Sequence, residues 1–480
     1  MAKLLLNRRW KSLFRRWCKS LFRRWFKSHS SSRRWKTLFS RWWKTLFSCW
    51  RKKLFSCARN FNPERKSPTS NSSRARKTFF GRAWKPLSFA NEGFPIIHAD
   101  HRIDEETIAD YDASHFYPVK IGEIFRDRYQ VVGKLGFGIT STVWLARDLF
   151  ECRHVAVKIF GESEVMSFQQ ELELNAYKRI ENTSIDHPGR HALRSLLDSF
   201  DIDGPNGRHL CLVHQPLWES VLDLRHRNPV QKLPKPVVAC VLKRLFLALD
   251  FLHQECHVAH ADIKENNILL QADEAVFRAF EQDELNEPSP RKEVDGRTIY
   301  ASRELNIPGK IGQPVLCDFG SAIPLDDTTR WNKIQPEIYR APEVILGIPW
   351  TSSVDIWNVG CMIWDAFMDE QLFTGHDSEF NTYHSRAHLA EMIALLGPPP
   401  PTLLARASLR TEFFSDAGDL CAEISVPESR PLEQRLTLLE GEESECFLRF
   451  MRKMLQWEPE KRSSAKDLAE DEWILRRSGR

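Results

Sequence analysis

Four short stretches of this chain carry side chains suited to handling phosphate and metal. The first is Leu135-Gly136-Phe137-Gly138-Ile139-Thr140-Ser141-Thr142-Val143. Its glycines let backbone amides approach phosphate oxygens with no Cβ in the way. The second is Val155-Ala156-Val157-Lys158, an apolar run that ends in a cation. The third is His260-Ala261-Asp262-Ile263-Lys264-Glu265-Asn266-Asn267, followed by the apolar Ile268-Leu269-Leu270. The fourth is Asp318-Phe319-Gly320, set directly after Val315-Leu316-Cys317. An aspartate at a strand end can chelate Mg2+ that bridges phosphates. Taken singly, these are an ordinary turn, an edge lysine and two polar loops; their order along the chain is the stronger signal.

Such residues need elements to position them. A strand from Tyr129, the glycine turn and a second strand from Val143 form a hairpin, and Val155–Val157 reads as a third strand. A helix is expected at roughly 167–180. Two of its glutamates compete as partner for Lys158. From Glu173, apolar or semi-apolar residues follow at +1, +3, +4 and +7 (Leu174, Ala176, Tyr177, Ile180), which sets Glu173 beside the inward stripe. Glu171 lies about 200° around the helix from it. Glu173 is the choice and Glu171 the alternative.

Three further stretches follow in order: Ala341-Pro342-Glu343, Asp355-Ile356-Trp357-Asn358-Val359-Gly360 and Glu458-Pro459-Glu460-Lys461-Arg462. With the first four, this series resembles the protein kinase superfamily from about residue 115 to 475. The resemblance implies an α+β bilobal fold. It has a small β-rich lobe with one helix (129–216) and a larger, mainly helical lobe (217–475). It implies that ATP and Mg2+ bind between the lobes. Leu135, Gly136, Phe137, Gly138, Ile139, Ser141, Val143 and Ala156 would line the nucleotide. Lys158, paired with Glu173, would hold its α- and β-phosphates, and Lys264 would reach the γ-phosphate. Asp262 would accept or orient the substrate hydroxyl proton, and Asn267 and Asp318 would hold metal. Glu343 and Arg462 would form a buried structural pair.

Within that superfamily the chain is most similar to the SR-protein kinases, which phosphorylate serines in Arg/Ser-rich splicing factors. Tyr117-Pro118-Val119-Lys120-Ile121-Gly122 precedes the first strand as in that family. Ser141 replaces the third glycine, and Ala261 stands where most kinases have arginine. The last departure implies activity without activation-loop phosphorylation. Fifty residues separate Asn267 from Asp318, so an insert at about 275–312 is expected. It is polar and turn-rich from Glu281 to Gly309, and shorter than the family's usual spacer. The resemblance also places the adenine hinge after Leu210-Cys211-Leu212-Val213. His214 would be the gatekeeper, and the Gln215 carbonyl and Leu217 amide would bond the adenine edge.

The charge is divided along the 480 residues. Residues 1–90 hold 26 Lys and Arg against one acidic residue, Glu64, whereas the whole chain is only +5. Residues 8–56 repeat an Arg-Arg-Trp-Lys-Ser-Leu-Phe theme, with Trp10, Leu13, Phe14, Trp17, Leu21 and Trp25 at helical same-face spacing. Three readings stay open for the tail (1–60): an amphipathic helix on an anionic membrane, a nucleic-acid or import patch, or a low-complexity segment without order. Residues 61–114 read as a linker with little fixed structure. No run approaches the ~18 apolar residues of a membrane span. Eleven cysteines without a Cys-x-x-Cys pair suit a reducing compartment, so cytoplasm or nucleus, and a monomer is expected. The acidic remainder suits a basic protein substrate. A kinase-like scaffold without activity, its tail binding RNA or membrane, is the competing function.

Overall fold

Strand-forming residues between Ile124 and His214 build a single antiparallel sheet in the computed structural model, which describes residues 83–90, 92–109, 111–326, 333–368, 370–421 and 424–478. The basic repeat and the first part of the linker lie outside these residues. The sheet contains β1 (Ile124–Phe125), β2 (Tyr129–Gly138), β3 (Ser141–Asp148), β4 (Arg153–Phe160), β5 (Leu196–Asp203) and β6 (Arg208–His214), in spatial order β1-β2-β3-β4-β6-β5. Its first strand therefore precedes the expected start at 129. The two-residue period of a strand sorts β4 by face. Val155, Val157 and Ile159 pack with Tyr129, Val131 and Trp144, which leaves Ala156 and Lys158 for the other face. Helix α1 (Glu164–Asn182) crosses between β4 and β5, longer at both ends than its apolar stripe suggested.

The larger lobe is helical. α2 (Val221–Arg227) and α3 (Lys235–Asp250) precede the short strands β7 (Val258–Ala259) and β8 (Ile268–Leu270). At its centre runs Ser353–Met368, a helix with apolar side chains on all faces, as a core helix should have. Its Trp357 and Trp364 are fully buried. Glu343 and Arg462 meet there as a bidentate pair with both contacts at 2.6 Å, both side chains fully buried.

Two expectations are corrected. The insert, expected to be polar and turn-rich from Glu281 to Gly309, carries regular elements. It folds as helix α4 (Glu274–Asn286) and a hairpin of β9 (Arg291–Val294) and β10 (Arg297–Tyr300), turned by Asp295 and Gly296, both at positive φ. Val276, Phe277 and Phe280 of α4 pack on Val132 and Leu145 of the small lobe. A Cβ on Gly133 would stand 2.8 Å from the Phe280 ring, so this strand position admits only glycine at that approach.

The second half of the linker is also ordered, by docking on the sheet. Leu87 donates to Gln130 Oε1 (2.8 Å), and the Gln130 amide returns a bond to Leu87 O (2.7 Å). The Arg147 guanidinium lies 4.7 Å over the Trp84 ring. Ile96 bridges to Arg291 of the insert hairpin. A 3-10 turn at Asp104–Thr107 presents its carboxylates to Lys134. Linker and insert thus jointly cover the small lobe.

Candidate active site

Lys158 sits on the inner face of β4. Its Nζ lies 2.6 Å from Glu173 Oε2 and 3.3 Å from Asp318 Oδ1. Helix α1 brings Glu173 inward, 1% exposed, and leaves Glu171 exposed on the other side. Burial opposes the lysine's charge, but Asp318 and Glu173 outweigh it and hold the ammonium above its ordinary pKa. Lys158 in turn holds the Asp318 carboxyl down to about 2. Asp318 thus stays anionic at any working pH. Its side chain is 47% exposed, so one face is open to a ligand.

The strand β11 (Pro314–Leu316) delivers Asp318, pairing with β8, which follows directly on residues 260–267. Asp318 takes φ +64 and Ala261 φ +62, both in the left-handed region. Buried Asp355 supports the second departure. It accepts the backbone N–H of His260 and of Ala261 (2.8 Å each) and contacts His253 Nε2 at 2.8 Å. Asn358 brackets the next residue, bonding both Ile263 N–H (3.1 Å) and Ile263 O (2.7 Å). Such over-determination is what keeps a strained backbone in place.

On this loop Lys264 Nζ lies 2.8 Å from Asp262 Oδ2. Asn267 Nδ2 donates to Asp262 O (2.8 Å) and Oδ2 (2.9 Å), which aims its Oδ1 away and leaves it as an acceptor. Phe319, fully buried, ties helix to loop. Its ring is 5.1 Å from Tyr177 of α1 and 5.3 Å from His260.

A cavity of about 700 Å3 reaches Asn266 and Leu269, on either side of Asn267 in the chain. Leu135, Gly136, Phe137, Val143, Ala156 and Leu217, all expected, line it. Gly138, Ile139, Ser141 and Gln215 are not among the lining residues, and neither are Lys158, Glu173, Asp262, Lys264, Asn267 and Asp318; Ile139 stands 73% exposed at the turn tip. His214 is buried and its Nδ1 lies 3.0 Å from Ser195 O, while burial first and the Arg194 charge second press its pKa well below the ordinary histidine value. It is therefore neutral, and its Nδ1–H donates to Ser195 O.

The cavity also has walls that motif reading missed. Asn266 is next to the metal-type asparagine. Trp218 and Asp223 follow the hinge. Arg303 and Leu305 come from the end of the insert. Arg194 enters from the stretch before β5.

The donor set fits a nucleotide with a divalent metal. Leu135, Val143, Ala156, Leu217 and Leu269 make an apolar slot, and Asp318 and Asn267 offer the side-chain oxygens a metal would take. Among the described residues, no group of three or more His, Cys, Asp or Glu could hold a metal ion without help. Two protein oxygens would need phosphate oxygens to complete a hard cation's shell.

Comparisons with known proteins place the chain among relatives. A family model described as the protein kinase domain matches residues 129–474. A serine/threonine protein kinase of Aspergillus fumigatus is 42% identical over 394 residues, covering 81% of this chain and 95% of that protein. The serine/threonine-protein kinase SRPK of Physarum polycephalum is 29% identical, covering 77% and 91%. SRSF protein kinase 3 of Homo sapiens is 24% identical, covering 77% and 90%. A solved kinase-domain structure aligns with TM-score 0.58 and 22% identity, over 76% of this chain and 100% of its own.

Proposed function

The chain belongs to the protein kinase family, as a serine/threonine kinase whose relatives include SR-protein kinases, and we propose that it phosphorylates serines in Arg/Ser-rich proteins. Use of ATP with a divalent metal, and of protein substrates, comes with the family; Mg2+ is our choice of metal. The observation that carries the site assignment is the meeting of Lys158, Glu173 and Asp318 beside a loop that joins Asp262, Lys264 and Asn267.

The roles follow from placement. Leu135, Val143, Ala156 and Leu217 hold the base in the apolar slot, with the Gln215 carbonyl and Leu217 amide at its edge. The backbone of Gly136, Phe137, Gly138, Ile139 and Ser141 covers the phosphates and excludes water. Lys158, fixed by Glu173, neutralises the α- and β-phosphates. Asp318 and Asn267 would hold Mg2+, which would supply positive charge to the phosphates. Asp262 orients the incoming hydroxyl and takes its proton, and Lys264 sits where charge develops on the transferred group.

The name of the human relative, SRSF protein kinase 3, supports the Arg/Ser class of substrate. So does the charge balance, because the acidic remainder of the chain attracts a basic peptide. Cys211, Cys256, Cys317, Cys361, Cys421 and Cys446 are free thiols, which suits the cytoplasm or nucleus. Action as a monomer belongs to the same reading, as does a nucleic-acid or anionic-membrane role for the tail. No helix among the described residues is long and apolar enough to cross a membrane. The inactive-scaffold alternative finds no support, since Lys158, Asp262, Asn267 and Asp318 are all present.

The test is a transfer assay on an Arg/Ser-repeat peptide beside a generic basic peptide, with Asp262→Asn as control. We expect faster transfer to the repeat peptide and a loss of roughly 10²–10⁴-fold in the control. Equal rates on the two peptides would remove the Arg/Ser claim, and an undiminished control would remove the role of Asp262.

A further inference from the structure

Arg194 is the odd residue of the cleft. It lies between the 3-10 turn Pro188–Ala192 and β5, and its backbone is fixed there: Leu193 bridges to Leu316, and Arg194 N–H donates to Leu316 O at 2.9 Å. Leu316 is two residues before Asp318. The same short stretch therefore registers Arg194 against the strand that delivers the metal-type aspartate.

Its side chain lines the cavity along with Leu135, Ala156 and Leu217. Its Nε is buried with no hydrogen-bond partner, and no ion pair holds the guanidinium among the described residues. Lys158 and Glu173 both feel its charge. A guanidinium cannot shed its proton, and a buried donor left unpaired is costly. Lys158 alone faces two carboxylates, Glu173 and Asp318. Arg194 brings this cluster to balance and leaves one cation's donors uncommitted.

We propose that Arg194 is a second fixed cation for the nucleotide, its guanidinium donating to phosphate oxygens beside Lys158. The planar fork of arginine matches phosphate geometry, and the chain's own carboxylates do not consume it. This rests on the reading of the cleft as a nucleotide site and adds a binding residue to it.

The experiment measures Kd for ATP and for adenosine, by calorimetry with divalent metal present, on the full chain and on Arg194→Met and Arg194→Lys. Arg194→Met should weaken ATP by roughly tenfold or more, the order of one charge-assisted hydrogen bond. Adenosine, which has no phosphate, should bind unchanged, and Arg194→Lys should regain most of the ATP affinity. Melting temperatures without nucleotide check that each variant is folded. Unchanged ATP binding in Arg194→Met, or equal losses for ATP and adenosine, would overturn the inference while leaving the nucleotide site standing. Failure of the unmutated chain to bind ATP would overturn both.

Discussion

Two lysines of the same sheet, Lys134 on β2 and Lys158 on β4, are each held by two carboxylates, yet their surroundings differ. Lys134 is fully buried. Glu105 contacts it directly, Asp104 lies at 3.1 Å, and Tyr300 O accepts a bond at 3.0 Å. Ser302 N–H closes the group by donating to Asp104 at 2.7 Å. Every charge there has an internal partner, so the cluster fastens linker and insert to the small lobe. Around Lys158 one partner stays half open: the Asp318 side chain is 47% exposed, against 15% for Asp104. The residue types are shared. Whether the carboxylates are sealed or open separates a structural fastening from a group able to meet a ligand.

Replacing each lysine by methionine should separate the two. Lys158→Met should lower phosphoryl transfer by roughly 10²–10³-fold, as for loss of one preorganised charge donor, while the chain remains folded by circular dichroism. Lys134→Met strands the buried Glu105 carboxylate beside the part-buried Asp104 and should cost about 3–5 kcal/mol of stability in urea titrations. Its transfer rate per folded molecule should stay within about twofold of the unmutated chain. A reversed pattern, with Lys134→Met inactive but stable, would dissolve the distinction.

A smaller effect tests burial of a carboxyl away from both clusters. Asp365 accepts from Tyr339 Oη (2.9 Å) and Leu372 N (2.8 Å), and burial lifts its pKa to about 7. The folded chain therefore keeps a proton that the unfolded chain releases near pH 4. Stability linked to it is present below that pH and is lost as the pH rises towards 7. The unfolding free energy from urea titrations should fall between pH 5 and pH 8 by roughly 3 kcal/mol more in the unmutated chain than in Asp365→Asn. Parallel pH dependence in both proteins would contradict this.

The same contrast explains what could be read from the sequence. Phosphate and metal chemistry fixes both residue type and spacing, so Lys158, Asp262, Asn267 and Asp318 stand out with no structure at hand. Glu173 was separable from Glu171 because its neighbours form an apolar stripe. Arg194 carries no such mark: it follows an ordinary turn, and only the fold points it at the cleft. The docking of Leu87 and Asp104 depends on partners such as Gln130 and Ser302, up to 198 residues away, which no local pattern encodes. The insert did leave signals. Val276, Phe277 and Phe280 have helical spacing, and Asp295-Gly296 is a strong hairpin turn. The polar run Glu287-Pro288-Ser289-Pro290 between them masked both.

The central claim is that these separated side chains serve one triphosphate, and a crystal structure with a non-hydrolysable ATP analogue and Mg2+ tests it most directly. Phosphate density within hydrogen-bond reach of Lys158, with metal on Asp318 and Asn267, is the predicted result. Phosphates bound away from these residues, with the Lys158–Asp318 contact still closed, would contradict it.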